Sequence, residues 1–409
     1  MKQLDLKPEK GGICAAAGFK AAGIHCGLRK NASRPDLALI YSDEPCAAAG
    51  VFTRNLVKAA PVLLDMKLIA DGRAQAIIAN SGNANACAPD DEENAARMNA
   101  AAAAALGLDK SAVLVSSTGV IGQRLNIDCV EKGAAEAAAA LSYDGSDDAA
   151  RAIMTTDTAK KELAYSLFLG GRTVRIGAIA KGSGMIHPNM GTMLCYITTD
   201  CAISAPMLDK ALRAAVNVSF NRVSVDGDTS TNDSCIILAN AAAGNEPITD
   251  QNSDYELFAE ALRKLCVELA RMIAADGEGA SHLITCVIKG ASDEAKAENI
   301  ARSVINSPLT KAAIFGRDAN WGRVLCAMGY SGESFDRKKT DIYFSSENGD
   351  IKVCSAGTGM AFDEELAERI LSAHEVIIIG DLNEGGCEAT CWGCDLTYDY
   401  VKINGSYRT

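Results

Sequence analysis

Short apolar runs alternate with polar turns along the chain, and their length and period separate strands from helices. Residues 37–41 form an unbroken apolar run closed by Ser42-Asp43-Glu44-Pro45, which reads as a buried strand followed by a turn. Residues 48–53, 74–79, 113–115, 283–289, 341–344, 351–353 and 376–380 predict further strands. Residues 173–180 and 193–197 predict two more, on either side of a loop with three glycines and a proline. Residues 220–226 alternate in the period of a strand. Helical spacing appears at 91–106, where acids occupy the first turn and alanine dominates the rest. It recurs at 134–141, 149–154, 205–218, 255–274, 293–306 and 363–372. Strands and helices are thus interleaved, with no internal repeat. A soft boundary is expected near 285, between a larger part, 1–284, and a smaller C-terminal part, 285–409.

Composition narrows the partners. The chain has 409 residues, enough for one large or two medium domains, with 48% apolar and 22% charged residues. Net charge is −12 with no basic cluster, which excludes nucleic acid. No apolar run approaches the roughly 20 residues of a membrane span. The N-terminal Met1-Lys2-Gln3-Leu4-Asp5-Leu6-Lys7 lacks a signal-peptide core, so a cytoplasmic location is expected. Fifteen cysteines are scattered from Cys14 to Cys394. Only Cys387, Cys391 and Cys394 cluster, and a zinc site there would want a fourth ligand and usually a second pair. The expectation is small buried hydrophobes and no metal.

Several polar strings carry candidate chemistry. Asn80-Ser81-Gly82-Asn83-Ala84-Asn85-Ala86 suits a tight turn and equally suits amide contacts to a substrate. Ser116-Ser117-Thr118-Gly119 follows a strand, where backbone amides can converge on an anion or simply make a cap. Thr155, Thr156 and Thr158 around Asp157 fit a helix cap or a pocket wall. Residues 227–234 form a polar loop without the spacing of an EF-hand. Gly191-Thr192 is a turn unless the chain breaks there. A threonine freed at its own α-amine gains a general base that titrates at about 7.7–8.0, and Gly191 offers an unhindered carbonyl for the acyl shift that would free it.

The string Lys181-Gly182-Ser183-Gly184-Met185-Ile186-His187-Pro188-Asn189-Met190-Gly191-Thr192-Met193-Leu194 resembles the self-cleavage segment of the arginine-biosynthesis bifunctional family, glutamate N-acetyltransferase or ornithine acetyltransferase. Gly191 stands where that family usually has alanine. The resemblance extends over the whole chain, through 80–87, 116–122, 226–234, 275–279, 319–323 and 392–409. It implies an α/β fold, an αββα sandwich with helices outside two layers of sheet and a smaller C-terminal α/β domain. It implies cleavage between Gly191 and Thr192, with the fragments 1–191 and 192–409 staying together as α2β2. It also implies acetyl transfer from N2-acetylornithine to glutamate through an acetyl-threonine, with no cofactor. Acetyl-CoA stays open as a second donor.

By the same resemblance Thr192 is the nucleophile, and the Thr118 hydroxyl and Gly119 amide hold the oxyanion. Thr155, Lys181, Thr192, Glu278, Asn404 and Thr409 contact substrate. The loop 226–234 supports the centre, and 319–323 is expected near the pocket. The alternative activity is a self-cleaving amidohydrolase or aminopeptidase, with water as acceptor.

Overall fold

The structure is a computed structural model that describes residues 4–187 and 193–406. Gly191, Thr192 and Thr409 lie outside the described residues. The runs 37–41 and 48–53, expected as two strands, form one strand of 16 residues, Leu37–Phe52. Its register against the strand Arg73–Asn83 slips at the expected turn, where Tyr41 faces Ala76 but Cys46 faces Ala74. The extra residues bulge and bend the strand, and Pro45, which has no N–H to donate, is tolerated inside the bulge. Before the bend the strand pairs with Phe19–Ile24 and Arg73–Asn83; after it, with Ser234–Ala239. The nine-stranded sheet is thereby folded over onto itself.

Period-2 alternation fills the space between the two halves. Ala38, Ile40, Ile77 and Leu114 from one half share a core with Ile179, Leu194, Tyr196 and Ile236 from the other. Their sequence neighbours point outward. Leu37, Leu39, Ala76, Ile78 and Val113 meet the helices Asp91–Leu106 and Ile127–Ala139. Ile176, Ala178, Cys195, Ile197 and Ile237 meet the helices Ala205–Asn217 and Ser253–Ala275. Four layers result, helices outside two faced sheets, the αββα sandwich that the sequence implied.

A seven-stranded sheet carries most of the rest. Leu283–Ala291 lies parallel to Glu375–Asp381 and antiparallel to Cys387–Cys394. Helix Glu294–Asn306 covers one face, with Ile284, Cys286, Phe344 and Ile378 beneath it. Leu283, Trp392 and Cys394 instead join the core of helix Ser253–Ala275, which ties the two sheets together. Residues 391 and 394 are three apart on a strand, so Cys391 and Cys394 enter different cores.

The expected strand at 220–226 is corrected. Phe220–Arg222 is a 3-10 turn and only Val223–Ser224 is strand, pairing with Trp392 and Gly393. Burial of Phe220 and an ion pair from Arg222 to Glu294 and Glu298 hold the turn. Among the described residues no helix is long and apolar enough to cross a membrane.

Candidate active site

A cavity of about 130 Å³ opens where strands of both faced halves end. One wall is the end of strand Val113–Val120, and another is the exit of strand Arg172–Lys181. The third is the entry of the parallel strands Leu194–Thr199 and Ser234–Ala239, where Leu194 faces Ser234. Thr118, Gly119, Thr155, Lys181, Glu278 and Asn404 all line it. Six sequence-expected positions from five separate segments are therefore brought together. Met193 and Leu194 line it too, so the chain re-enters the described structure at the cavity one residue after Thr192.

Thr118 and Gly119 are held by close backbone approach. Ser81 pairs with Thr118 and Gly82 with Gly119 in the parallel ladder. Gly119 has φ +134°, and a Cβ there would overlap the Gly82–Asn83 peptide, so only glycine fits. The asparagines of the 80–86 string serve this turn rather than the cavity. Asn80 Nδ2 donates to the Asn83 carbonyl at 2.9 Å, and Ser117 Oγ donates to Asn80 Oδ1 at 2.6 Å. Asn83 Oδ1 accepts from the Asn85 N–H at 2.7 Å, and Asn85 Nδ2 donates to the Asp91 carbonyl at 3.0 Å. From the opposite loop Asn232 Nδ2 donates to the carbonyls of Ala84 at 2.6 Å and Ser117 at 2.9 Å. Of the two readings open in the sequence, the turn is realised, and it fixes the strand end that carries Thr118.

The cavity is polarised. Lys181 ends its strand nearly buried, with Nζ 4.0 Å from Asp157 Oδ2. Burial pulls its pKa below the ordinary lysine value, and Asp157 is the largest opposing influence. Glu278 is buried in the loop after helix Ser253–Ala275 and receives Asn404 Nδ2 on Oε2 at 2.7 Å. Gly184 makes room for it, because a Cβ there would overlap the Glu278 carboxylate. The Glu278 N–H also donates to the Ser183 carbonyl at 3.0 Å. A cation from one strand end and an anion from a separate loop thus line a space the size of a small zwitterion.

The loop 226–234 grips the segment that leads away from Lys181. Asp226 accepts from the N–H groups of Met185 at 2.6 Å and Ile186 at 2.9 Å. Thr229 Oγ1 donates to the His187 carbonyl at 2.8 Å. Beyond Thr192, the Ser234 N–H donates to the Met193 carbonyl at 3.0 Å. The loop therefore clamps the chain on both sides of 188–192, as support for the centre.

Two acids lie in strings the sequence singled out but had no role assigned there. Asp157 is fully buried behind Lys181. Burial alone would raise its pKa, but Lys181 and Lys161 outweigh it and hold the carboxyl well below the usual range. Asp233 is buried and lines the cavity, and its Oδ2 has no hydrogen-bond partner among the described residues. Burial pushes its pKa well up. No spacing signal marks either residue, since both owe their chemistry to neighbours distant in sequence. The 319–323 string does not line the cavity. Trp321 opens the helix Trp321–Gly329 and packs against the seven-stranded core.

A polar cavity at the strand ends of an αββα sandwich defines the class, an α/β enzyme acting on a small charged substrate. Comparison with known proteins gives the family. The ArgJ family model matches residues 20–409. The chain is 54% identical over 401 residues to the arginine biosynthesis bifunctional protein ArgJ of Symbiobacterium thermophilum, covering 98% of this chain and 99% of that one. It is 42% identical over 401 residues to the protein of the same name from Bacillus subtilis, covering 98% and 97%. A crystal structure of the Bacillus halodurans protein is 42% identical with a TM-score of 0.50, covering 52% of this chain and 98% of that chain. The chain belongs to the ArgJ family.

Proposed function

We propose that this protein transfers the acetyl group of N2-acetylornithine to glutamate through an ester on Thr192, after cutting itself between Gly191 and Thr192. It is an arginine-biosynthesis enzyme, as its family is. The observation that carries the reading is the convergence of Thr118, Gly119, Lys181 and Glu278 on one small cavity beside Met193.

In the first half-reaction the Thr192 hydroxyl adds to the acetyl carbonyl and its proton passes to the freed α-amine of Thr192. The Thr118 hydroxyl and Gly119 amide stabilise the oxyanion, a contribution of about 2.7–4 kcal/mol per donor at such sites. The C–N bond then breaks, the proton moves to the departing nitrogen, and ornithine leaves. In the second half-reaction the glutamate amine attacks the ester and the Thr192 hydroxyl is restored. Lys181 pairs with the carboxylate that both substrates share. Glu278, braced by Asn404, receives an amino group of the substrate or of Thr192, and Thr155 and Thr409 complete the contacts. The scheme balances without a cofactor, and acetyl-CoA would enter as an alternative donor to the same hydroxyl. The fragments 1–191 and 192–409 would assemble as α2β2, with the C-terminal part, 285–409, supplying Asn404.

Intact mass beside a Thr192→Ala variant tests the cleavage. Two fragments meeting at Gly191/Thr192, in the wild type alone, are expected. Parallel double-reciprocal lines for N2-acetylornithine and glutamate are expected of the transfer, and intersecting lines rule out the acetyl-enzyme. Acetate released without glutamate would make water the acceptor and the protein an amidohydrolase.

A further inference from the structure

Behind Lys181 lie three buried charged groups that the reaction scheme does not use, Asp157, Lys161 and Asp276. Asp157 Oδ1 accepts from Lys161 Nζ at 2.8 Å and from the Gly182 N–H at 2.7 Å. Asp157 Oδ2 accepts from the Thr155 N–H at 3.0 Å and faces Lys181 Nζ at 4.0 Å. Lys161 Nζ also reaches Asp276 Oδ2 at 2.5 Å. Asp276 in turn accepts from the Thr158 N–H at 3.1 Å and lies two residues before Glu278. Side-chain exposure is 0% at Asp157 and 1% at Lys161. One carboxylate therefore touches three segments that wall the cavity: the Thr155 loop, the Lys181 strand end and, through Lys161 and Asp276, the Glu278 loop.

We propose that Asp157 is a positioning residue that keeps the Lys181 ammonium charged and aimed into the cavity, with Lys161 and Asp276 holding Asp157 in place from behind. The inference rests on the acetyltransferase reading, in which Lys181 receives the substrate carboxylate. The geometry favours it over simple neutralisation. Lys161 already has two carboxylate partners, whereas among the described residues Asp157 is the only carboxylate within 4.0 Å of Lys181 Nζ. Lys181 lines the cavity, while Asp157 and Lys161 do not. Burial drives the Lys181 ammonium toward losing its proton, and an adjacent fixed carboxylate opposes that loss. The other charged groups that face Lys181 are Lys161, which disfavours its charge, and Asp233 and Glu278, which favour it less than Asp157 does. The substrate carboxylate then meets a cation whose charge and direction are already set, which lowers the ordering cost of binding.

The test is Asp157→Asn, similar in shape but uncharged, followed by KM and kcat against pH. With N2-acetylornithine, KM should rise about tenfold or more toward alkaline pH, where a buried ammonium without Asp157 gives up its proton sooner, and less toward acid pH. The kcat should stay within about threefold, since the loss is one of binding. With the carboxamide of N2-acetylornithine, which has no carboxylate, KM should not move. Equal losses on both substrates at every pH would overturn the proposal and leave Asp157 a folding residue. Should Asp157→Asn not fold, the wild type decides. Its preference for carboxylate over carboxamide should persist through about pH 8, and a preference lost below that pH overturns the proposal. If the wild type transfers no acetyl group, the acetyltransferase reading fails separately. Calorimetric binding of N2-acetylornithine and its carboxamide to both proteins then gives the same comparison.

Discussion

Asp65 is a single buried residue with a measurable consequence. It sits on the inner side of helix Ala60–Leu68 and accepts the Val115 N–H on Oδ1 at 2.8 Å. Its Oδ2 has no partner among the described residues, and burial raises the carboxyl well above its ordinary value. A raised carboxyl contributes stability that is complete below the unfolded value and is lost as pH rises toward the folded one. Inside that window the loss is about 1.4 kcal/mol per pH unit. Asp157 has the opposite sign, because its lowered value gives stability that is lost as pH falls. Asparagine at 65 keeps the acceptor and removes the titration. Asp65→Asn should therefore be more stable than wild type at neutral pH, with the margin shrinking toward pH 4, in urea unfolding run at several pH values. A margin constant with pH would show that Asp65 does not titrate differently in the folded protein. Nothing in the sequence around Leu64-Asp65-Met66 signals this, since the burial comes from a strand fifty residues away. Lys181 and Glu278 were visible only through resemblance, because spacing alone does not bring residues 181 and 278 together. Gly119 differs: the sequence reads it as part of a turn after a short strand, whereas the strand runs on through Val120 and Gly119 takes its φ of +134° inside it.

Elements were legible where burial is one-sided and periodic. The strands at 74–79, 113–115, 283–289 and 376–380 and the helices at 91–106 and 255–274 appear at the expected places. The bend in Leu37–Phe52 was read as a turn because Ser42-Asp43-Glu44-Pro45 has turn chemistry. Only pairing with strands from both halves shows that the chain passes straight through. The short helices Ala60–Leu68, Pro308–Phe315 and Trp321–Gly329 are missing from the sequence reading, although Ser146–Ile153 and Glu364–Leu371, no longer than these, are in it. At the far end, helix Tyr398–Ser406 buries no residue, with Tyr398 84% exposed and Val401 68% exposed. Its link to the cavity is Asn404 on Glu278, and an edge-on contact of Tyr398 with Phe315 at 5.7 Å supports it. Such a helix adds little to stability and much to the site. Deletion of residues 398–409 should shift Tm by no more than about 4 °C, yet raise KM for N2-acetylornithine by about tenfold or more through loss of the Glu278 brace and of the proposed Asn404 and Thr409 contacts. Calorimetry and steady-state kinetics on the truncated chain check the two halves of this expectation. A large loss of Tm with unchanged KM would reverse the assignment.

At the scale of the whole molecule, the proposed cut at Gly191/Thr192 falls between two adjacent strands of one sheet. Arg172–Lys181 pairs with Leu194–Thr199 across six register positions, from Ile176 opposite Thr199 to Lys181 opposite Leu194. Leu37–Phe52 pairs with Ser234–Ala239 across six more, from Ala47 opposite Ala239 to Phe52 opposite Ser234. Both pairings join the fragment 1–191 to the fragment 192–409, and the core between the faced halves draws on both. Neither fragment holds a closed sheet of its own in this region, so separation would expose unpaired edges and apolar surface together. Cleavage should leave the native assembly intact while making unfolding a dissociation. The cleaved wild type should then unfold in a single urea transition whose midpoint rises with protein concentration, by about 1.4 kcal/mol of stability per tenfold for a pair of fragments. The uncut Thr192→Ala chain lacks that dissociation step, so its midpoint should depend less on concentration. Two separate transitions in the cleaved protein would mean that each fragment folds by itself and that the shared sheet is not what holds the site together.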